Sequence, residues 1–195
     1  MSPVGEIIDI SFTTVTCESS NLNDIPTPGT FIRFDIDDYT VIACVTRYDI
    51  GSIESDGYPM ALWKTEAELK NQYPQLEQIL KGYFKCLVLG FMVDGKFING
   101  LPDRSIRLHT MVVRAQNNEI LLATQDGLFL NSVIKSKDVD IIEVIPWLIY
   151  NAYKARNADH DYLEEIGKEL NVYLKYDLNL LAPIIERLEN MIINL

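Results

Sequence analysis

The sequence predicts an α+β fold: a small β-barrel over residues 1–130, interrupted by a helical segment at 65–81, then a helical tail over residues 131–195. Three observations lead there. Before about residue 125, apolar and polar residues alternate in short runs, the period of half-buried strands. Turn residues separate those runs, as in a barrel or sandwich. From Asp138 onward apolar residues recur every three or four positions, which is one face of a helix. A barrel also removes the exposed edges that invite aggregation.

The first strand is expected over Gly5 to Val15, GEIIDISFTTV, for its β-branched residues. The polar cluster Glu18 to Asp24 reads as a loop, because short polar side chains compete for backbone hydrogen bonds. Pro26-Thr27-Pro28-Gly29 is a turn feeding a strand from Thr30 to Ile36, where Ile32, Phe34 and Ile36 alternate with Arg33 and Asp35. Asp37-Asp38 turns the chain back into Tyr39 to Tyr48. At Thr65 the period changes. Thr65 and Glu68 form a capping box, and Leu69, Tyr73, Leu76 and Leu80 make one helical stripe. Pro74 interrupts it, so Tyr73-Pro74-Gln75 is either the joint between two short helices or an elbow that touches a partner. Leu87 to Val93 and Phe97-Ile98 form a hairpin across Asp94-Gly95, a pair that tolerates positive φ. Leu101 to Arg104 is a loop, and Leu108 to Ala115 is the last strand.

In the tail, Val139, Ile142, Ile145, Leu148 and Ile149 define a first stripe, with Pro146 a place for a second helical piece to begin. Asn157 to His160 breaks the pattern. Tyr162, Ile166, Leu170 and Tyr173 or Leu174 form a second stripe, and Leu178, Leu181, Ile184, Ile185 and Leu188 a third. The acidic run Asp159-His160-Asp161 with Glu164-Glu165 reads as a solvated first helical turn, where carboxylates complement the helix dipole, rather than as a metal cluster.

Composition narrows the function. The chain has 195 residues, 48% hydrophobic and 23% charged, enough for a sizeable core in one or two small domains. No apolar run approaches the roughly 18 residues that span a bilayer. Met1 to Glu6 lacks the basic and apolar regions of a signal peptide, so the cytoplasm is expected and no membrane. Cys17, Cys44 and Cys86 are odd in number and scattered, which favours buried, reduced thiols over a disulfide or metal. The net charge of −11 opposes the counterion displacement on which polyanion binding depends, so direct nucleic-acid binding is not expected. Arg104, Arg107 and Arg114 need not share a face. An acidic chain instead attracts a basic partner. No G-x-S-x-G, H-E-x-x-H, C-x-x-C or G-x-G-x-x-G occurs. His109 lies beside a strand of aliphatics, where a structural hydrogen bond is its expected role. Asp35, Asp37 and Asp38 cluster on a turn, and whether they pair for hydrolysis is a spatial question left open by the sequence.

Glu68 to Arg114 reads ELKNQYPQLEQILKGYFKCLVLGFMVDGKFINGLPDRSIRLHTMVVR. This order is a helix with Tyr-Pro-Gln, an aromatic-aliphatic strand with Gly, a turn, Leu-Pro, then Leu-His and a Val-rich strand. It resembles the N-terminal HAS-barrel of HerA-type DNA translocases, a small barrel also seen at the head of rotary ATPase subunits. The resemblance implies architectural roles for Leu101, Pro102, Leu108 and His109, and a barrel that mediates ring contacts and partner docking. The phosphate-binding loop G-x-x-x-x-G-K-[ST] of such a motor is absent. Gly95-Lys96 is followed by Phe97 and belongs to the hairpin.

Two function classes follow. The first is a non-enzymatic interaction or assembly module, an adaptor or regulator of a HerA-type motor or nuclease by the resemblance. It needs no cofactor or metal, and it docks a protein partner or its own copies. The second is an enzyme or small-ligand protein with a pocket between barrel and tail. The first is favoured. Trp147, Leu148, Tyr150, Tyr153, Tyr162, Tyr173, Tyr176, Leu180 and Leu181 load the tail beyond one buried face. Tyr and Trp give large contact area at little entropic cost, so Tyr73, Trp147, Tyr150, Tyr153 and Tyr162 are the expected partner contacts.

Overall fold

A computed structural model of the protein describes residues 2–52, 61–73 and 80–195. Pro74, Gln75 and Leu76, which carry part of the expected elbow and stripe, lie outside the described residues. Seven strands form one antiparallel sheet: β1 (Gly5–Ile10), β2 (Thr14–Ser19), β3 (Phe31–Ile36), β4 (Tyr39–Ser52), β5 (Leu80–Val93), β6 (Lys96–Asn99) and β7 (Met111–Arg114). Six of them close on themselves in the order β1-β2-β5-β4-β3-β7 and back to β1. β6 extends the sheet on β5, from Gly90 to Val93. The fold is the expected α+β arrangement with a small barrel.

Where the sequence suggested one strand over Gly5 to Val15 there is a hairpin. Ser11 and Thr14 exchange backbone hydrogen bonds across the turn. No Gly or Pro marks it, and β-branched residues continue on both sides. β3 buries Ile32, Phe34 and Ile36 as its alternation requires, and Asp37-Asp38 turns it into β4 with Asp37 at φ 53°. The β5–β6 turn has Asp94 and Gly95 both at positive φ, as expected. α1 (Glu66–Gln72) carries the expected capping box: Glu68 N–H donates to the Thr65 hydroxyl, and Thr65 N–H donates to Glu68 Oε2 at 2.8 Å. Leu80 and Lys81, placed on a helix by the stripe, are instead strand, paired with Ser52 and Gly51. The last strand starts at Met111 rather than Leu108, because His109 turns the chain at φ 65°.

After the last barrel strand, helices begin at Asn117, well before Asp138. α2 (Asn117–Ala123) and α3 (Leu128–Ile134) precede α4 (Ile141–Ala155), α5 (His160–Leu174) and α6 (Leu178–Asn194). They were missed because each has only seven residues, two turns of signal. α4 runs unbroken through Pro146, so no second piece begins there. α6 likewise runs through Pro183. Each proline lies in the second helical turn, where it removes one amide donor without ending the helix.

Two apolar clusters hold the molecule. Ile7, Val15, Ile32, Phe34, Val41, Phe84 and their neighbours fill the barrel. Phe31, Ile42, Cys44, Leu87 and Leu89 belong to a second cluster, with Phe129, Leu130, Ile145, Leu148 and Ile166 of the helices. Adjacent residues of a strand face opposite sides. β3 at Phe31, β4 at Ile42 and Cys44, and β5 at Leu87 and Leu89 are therefore buried on the outer face as well, where the helices cover them. Bulges at Thr46 and Leu89 each insert an unpaired residue and shift the alternation by one, so that Val88 and Phe91, three positions apart, both face the barrel interior.

Candidate functional site

α4 is the element that seats the helices on the barrel. Gly29, at φ 81°, lies under it: a Cβ there would be 2.3 Å from Trp147 Cβ. Only glycine fits such a close backbone approach at positive φ. Asn151 Nδ2 donates to the Gly29 carbonyl at 2.8 Å. A second tie runs through Arg33 of β3, which donates to Glu119 of α2 at 2.6 Å and to Asp35. Glu119 is buried and also accepts from Gln116 N–H at 2.7 Å, closing the first turn of α2.

The helical region is locked by Arg156. Its guanidinium donates to Thr124 Oγ1 (2.8 Å), Thr124 O (2.9 Å), Leu121 O (3.1 Å) and Ala152 O (3.2 Å), and it lies 3.9 Å from the Tyr162 ring centroid. These carbonyls are at the C-terminal ends of α2 and α4, where helix dipoles favour a cation. Burial pulls the Arg156 pKa below its ordinary value. Burial also pushes the Tyr162 phenol up to about 12, and its buried hydroxyl has no hydrogen-bond partner among the described residues.

Of the five expected contact residues, Tyr150, Tyr153 and Tyr162 are buried in the chain's own core, while Trp147 is half-buried on Gly29. Trp147, Tyr150, Tyr153 and His160 stack in series, with ring centroids 6.0, 6.5 and 5.5 Å apart. Tyr73 stands apart, half-buried at the C-cap of α1. Asp159 caps α5 by accepting from Asp161 N–H, and Glu164 pairs with Lys168. The acidic run thus acts as a first helical turn. Among the described residues no three His, Cys, Asp or Glu side chains converge as metal ligands would.

The remaining polar candidates are engaged with one another. Asp37 and Asp38 hold Arg104, Asp37 holds Arg107 at 3.1 Å, Asp24 holds Arg114 at 2.5 Å, and Asp35 holds Arg33. His109 Nδ1 meets Glu6 Oε1 at 2.5 Å. Cys17, Cys44 and Cys86 are free and buried. Burial pushes the Cys44 thiol up to about 12 and raises Cys86 well above its ordinary value, which makes both poor nucleophiles.

Apolar surface is concentrated on α6. Its inner side buries Leu181, Ile184 and Met191 against α4 and α5, with Leu188 half-buried. Leu178 and Ile185 do not join that stripe as expected. With Ala182 and Ile193 they lie on a second, outward stripe, at 68, 37 and 78% exposure for Leu178, Ile185 and Ile193. The spacing 178, 182, 185, 189, 193 keeps these positions on one side of a helix. Tyr176, 91% exposed, precedes the stripe. Asp177, Glu186 and Glu189 flank or interrupt it and make no ion pair with a described residue. Arg187 is held by Glu143 of α4. An open groove of about 400 Å³ runs beside it, lined by Ile142, Pro183, Glu186, Arg187, Asn190 and Met191. The sequence carried one signal for this surface. α6 has only Glu186, Arg187 and Glu189 as charged residues in 17, too few to solvate the face that a single buried stripe leaves outside.

A smaller apolar group, Ile8, Leu108 and Met111, is exposed on the part of the barrel formed by β1 and β7 and the turn before it. Among the described residues no helix is long and apolar enough to cross a membrane. No family model and no curated protein matches the chain.

Proposed function

We propose that the protein is a non-enzymatic interaction module, acting in the cytoplasm, in which a closed barrel fixes a helical region that presents α6 to a protein partner. The observation that carries this reading is the outward stripe of α6. Soluble surfaces tolerate single exposed apolar side chains, but a row of them along one helix face, here Leu178, Ala182, Ile185 and Ile193 broken once by Glu189, marks a contact. The candidate acids, arginines and thiols support it too, since each is occupied in an ion pair or buried. The resemblance of Glu68 to Arg114 to a HAS-barrel makes an adaptor or regulator of a HerA-type motor or nuclease the first partner class to test.

The test is affinity capture by the full chain, wild type against Ile185→Glu, with circular dichroism and melting to confirm that the variant folds. The reading expects a protein held by wild type and lost by the variant. It fails if every captured protein is retained equally by both.

A further inference from the structure

We infer that the α6 stripe takes an amphipathic helix with basic flanks, contributed by another protein. This deepens the interaction reading above and rests on it. Three features of the surface point to that occupant.

The first is shape. From Leu178 to Ile193 the stripe is one helix wide and about 22 Å long at 1.5 Å per residue. A partner helix of roughly 15 residues covers it by packing its ridges into the grooves of α6. A strip of that width is several-fold short of the ~800 Å² per partner that a standard globular interface buries. It suits a helical segment better than the face of a second folded domain.

The second is charge. Asp177, Glu186 and Glu189 are the charged groups along the stripe that lack an ion-pair partner among the described residues. The nearby cations are engaged, Arg187 by Glu143 and Lys175 over the Tyr176 ring at 4.7 Å. Apolar side chains with unpaired carboxylates beside them (Asp177, Glu186) and among them (Glu189) complement Leu or Ile accompanied by Lys or Arg, and the net charge of −11 steers such a segment in from a distance.

The third concerns a second copy of this chain, which the same charges disfavour. The midpoint of the stripe lies between Ile185 and Glu186. Antiparallel two-fold pairing therefore sets Glu186 beside Glu186 of the other copy. Parallel pairing sets Glu189, which lies on the stripe, opposite its own counterpart. Like charges so placed are destabilising.

The experiment titrates full-length protein into three fluorescein-labelled synthetic peptides of 15 residues, read by anisotropy in low salt. One is a Leu/Lys amphipathic helix, one is the same apolar face with Glu for Lys, and one is a scrambled Leu/Lys sequence with no apolar face. The proposal expects the Leu/Lys helix to bind at least tenfold more tightly than the other two. It expects Ile185→Glu and, separately, Leu178→Glu to weaken that binding at least tenfold. Glu186→Gln/Glu189→Gln is expected to weaken it several-fold and to reduce its salt dependence. Equal binding of the Leu/Glu helix overturns the basic flanks, and equal binding of the scrambled peptide overturns the helical match. No binding by any peptide overturns the inference, while the interaction reading is still decided by affinity capture. Light scattering that finds a dimer dissolved by Ile185→Glu also overturns it, by assigning the stripe to a second copy.

Discussion

Replacing Arg156 with Met keeps an unbranched chain of similar length but deletes the guanidinium. The four carbonyl and hydroxyl contacts and the Tyr162 face then lose their common donor. Hydrogen bonds to charged groups contribute about 1.5–3 kcal/mol each when dry. Arg156 is half-buried, so partial solvent screening brings this to about 1 kcal/mol each. The ring contact adds about 0.5–1 kcal/mol. Water reaching the Leu121 carbonyl offsets roughly 1 kcal/mol. The expected loss is therefore about 3.5–4 kcal/mol, a large part of the ~5–15 kcal/mol that stabilises a typical domain. Arg156→Lys, which keeps the charge but not the planar fork, should lose about half as much. Urea unfolding followed by far-UV circular dichroism measures both. A loss below 1 kcal/mol for Arg156→Met, or equal losses for the two variants, would refute the view that one guanidinium ties the ends of α2 and α4.

Gly29→Ala should cost about 2–4 kcal/mol in the same assay, because its Cβ meets Trp147 and the backbone at Leu148 and its φ of 81° is strained for alanine; a neutral result would mean that α4 is not seated there. Cys44 and Tyr162 are both pushed up to about 12 by burial, from ordinary values of 9.0 and 10.0. Their folded-state pKa values are raised, so the stability tied to their neutral forms is complete below pH 9 and is lost as pH rises from 9 through 12. The slope approaches about 1.4 kcal/mol per pH unit for each group. Tyr162→Phe should flatten the part above pH 10 and leave stability at pH 7 unchanged or higher by up to ~1 kcal/mol, since the hydroxyl it removes has no partner. The missing phosphate loop predicts neither ATP hydrolysis nor tight ATP binding, and micromolar affinity by calorimetry would count against it.

The barrel was legible because its signals are local. Alternation in Phe31 to Ile36, the Asp37-Asp38 and Asp94-Gly95 turns, and the Thr65/Glu68 capping box each depend on a few adjacent residues. The Ser11 turn was hidden because β-branched residues run through it, and α2 and α3 because two turns carry too little periodicity. Leu80 matched the helical spacing of Leu69 and Tyr73 by coincidence, and pairing with Ser52, 28 positions earlier, decided its state. For the candidate surface, composition pointed to the tail but not to the right side chains. Tyr150, Tyr153 and Tyr162 have the residue type of an interface, yet the core of α4 and α5 needed their bulk. Leu178 and Ile185 share helical spacing with Leu181 and Ile184, and only the packing of α6 on the rest of the core separates inner from outer.

The closure of the barrel orders events during synthesis. β1 must wait for β7, some 105 residues later, and β2 must wait for β5. Until Val112 has left the ribosome, the hairpin of β1 and β2 has one partner edge missing, and such non-local pairing is slow because a long loop must first be closed. The helices that cover Ile42 and Leu87 emerge later still. At an elongation rate of about 5–20 residues per second, the nascent β-rich half spends several seconds with apolar strands uncovered. That interval is when a chaperone, or an early-arriving partner, has most influence on whether this chain reaches its native state.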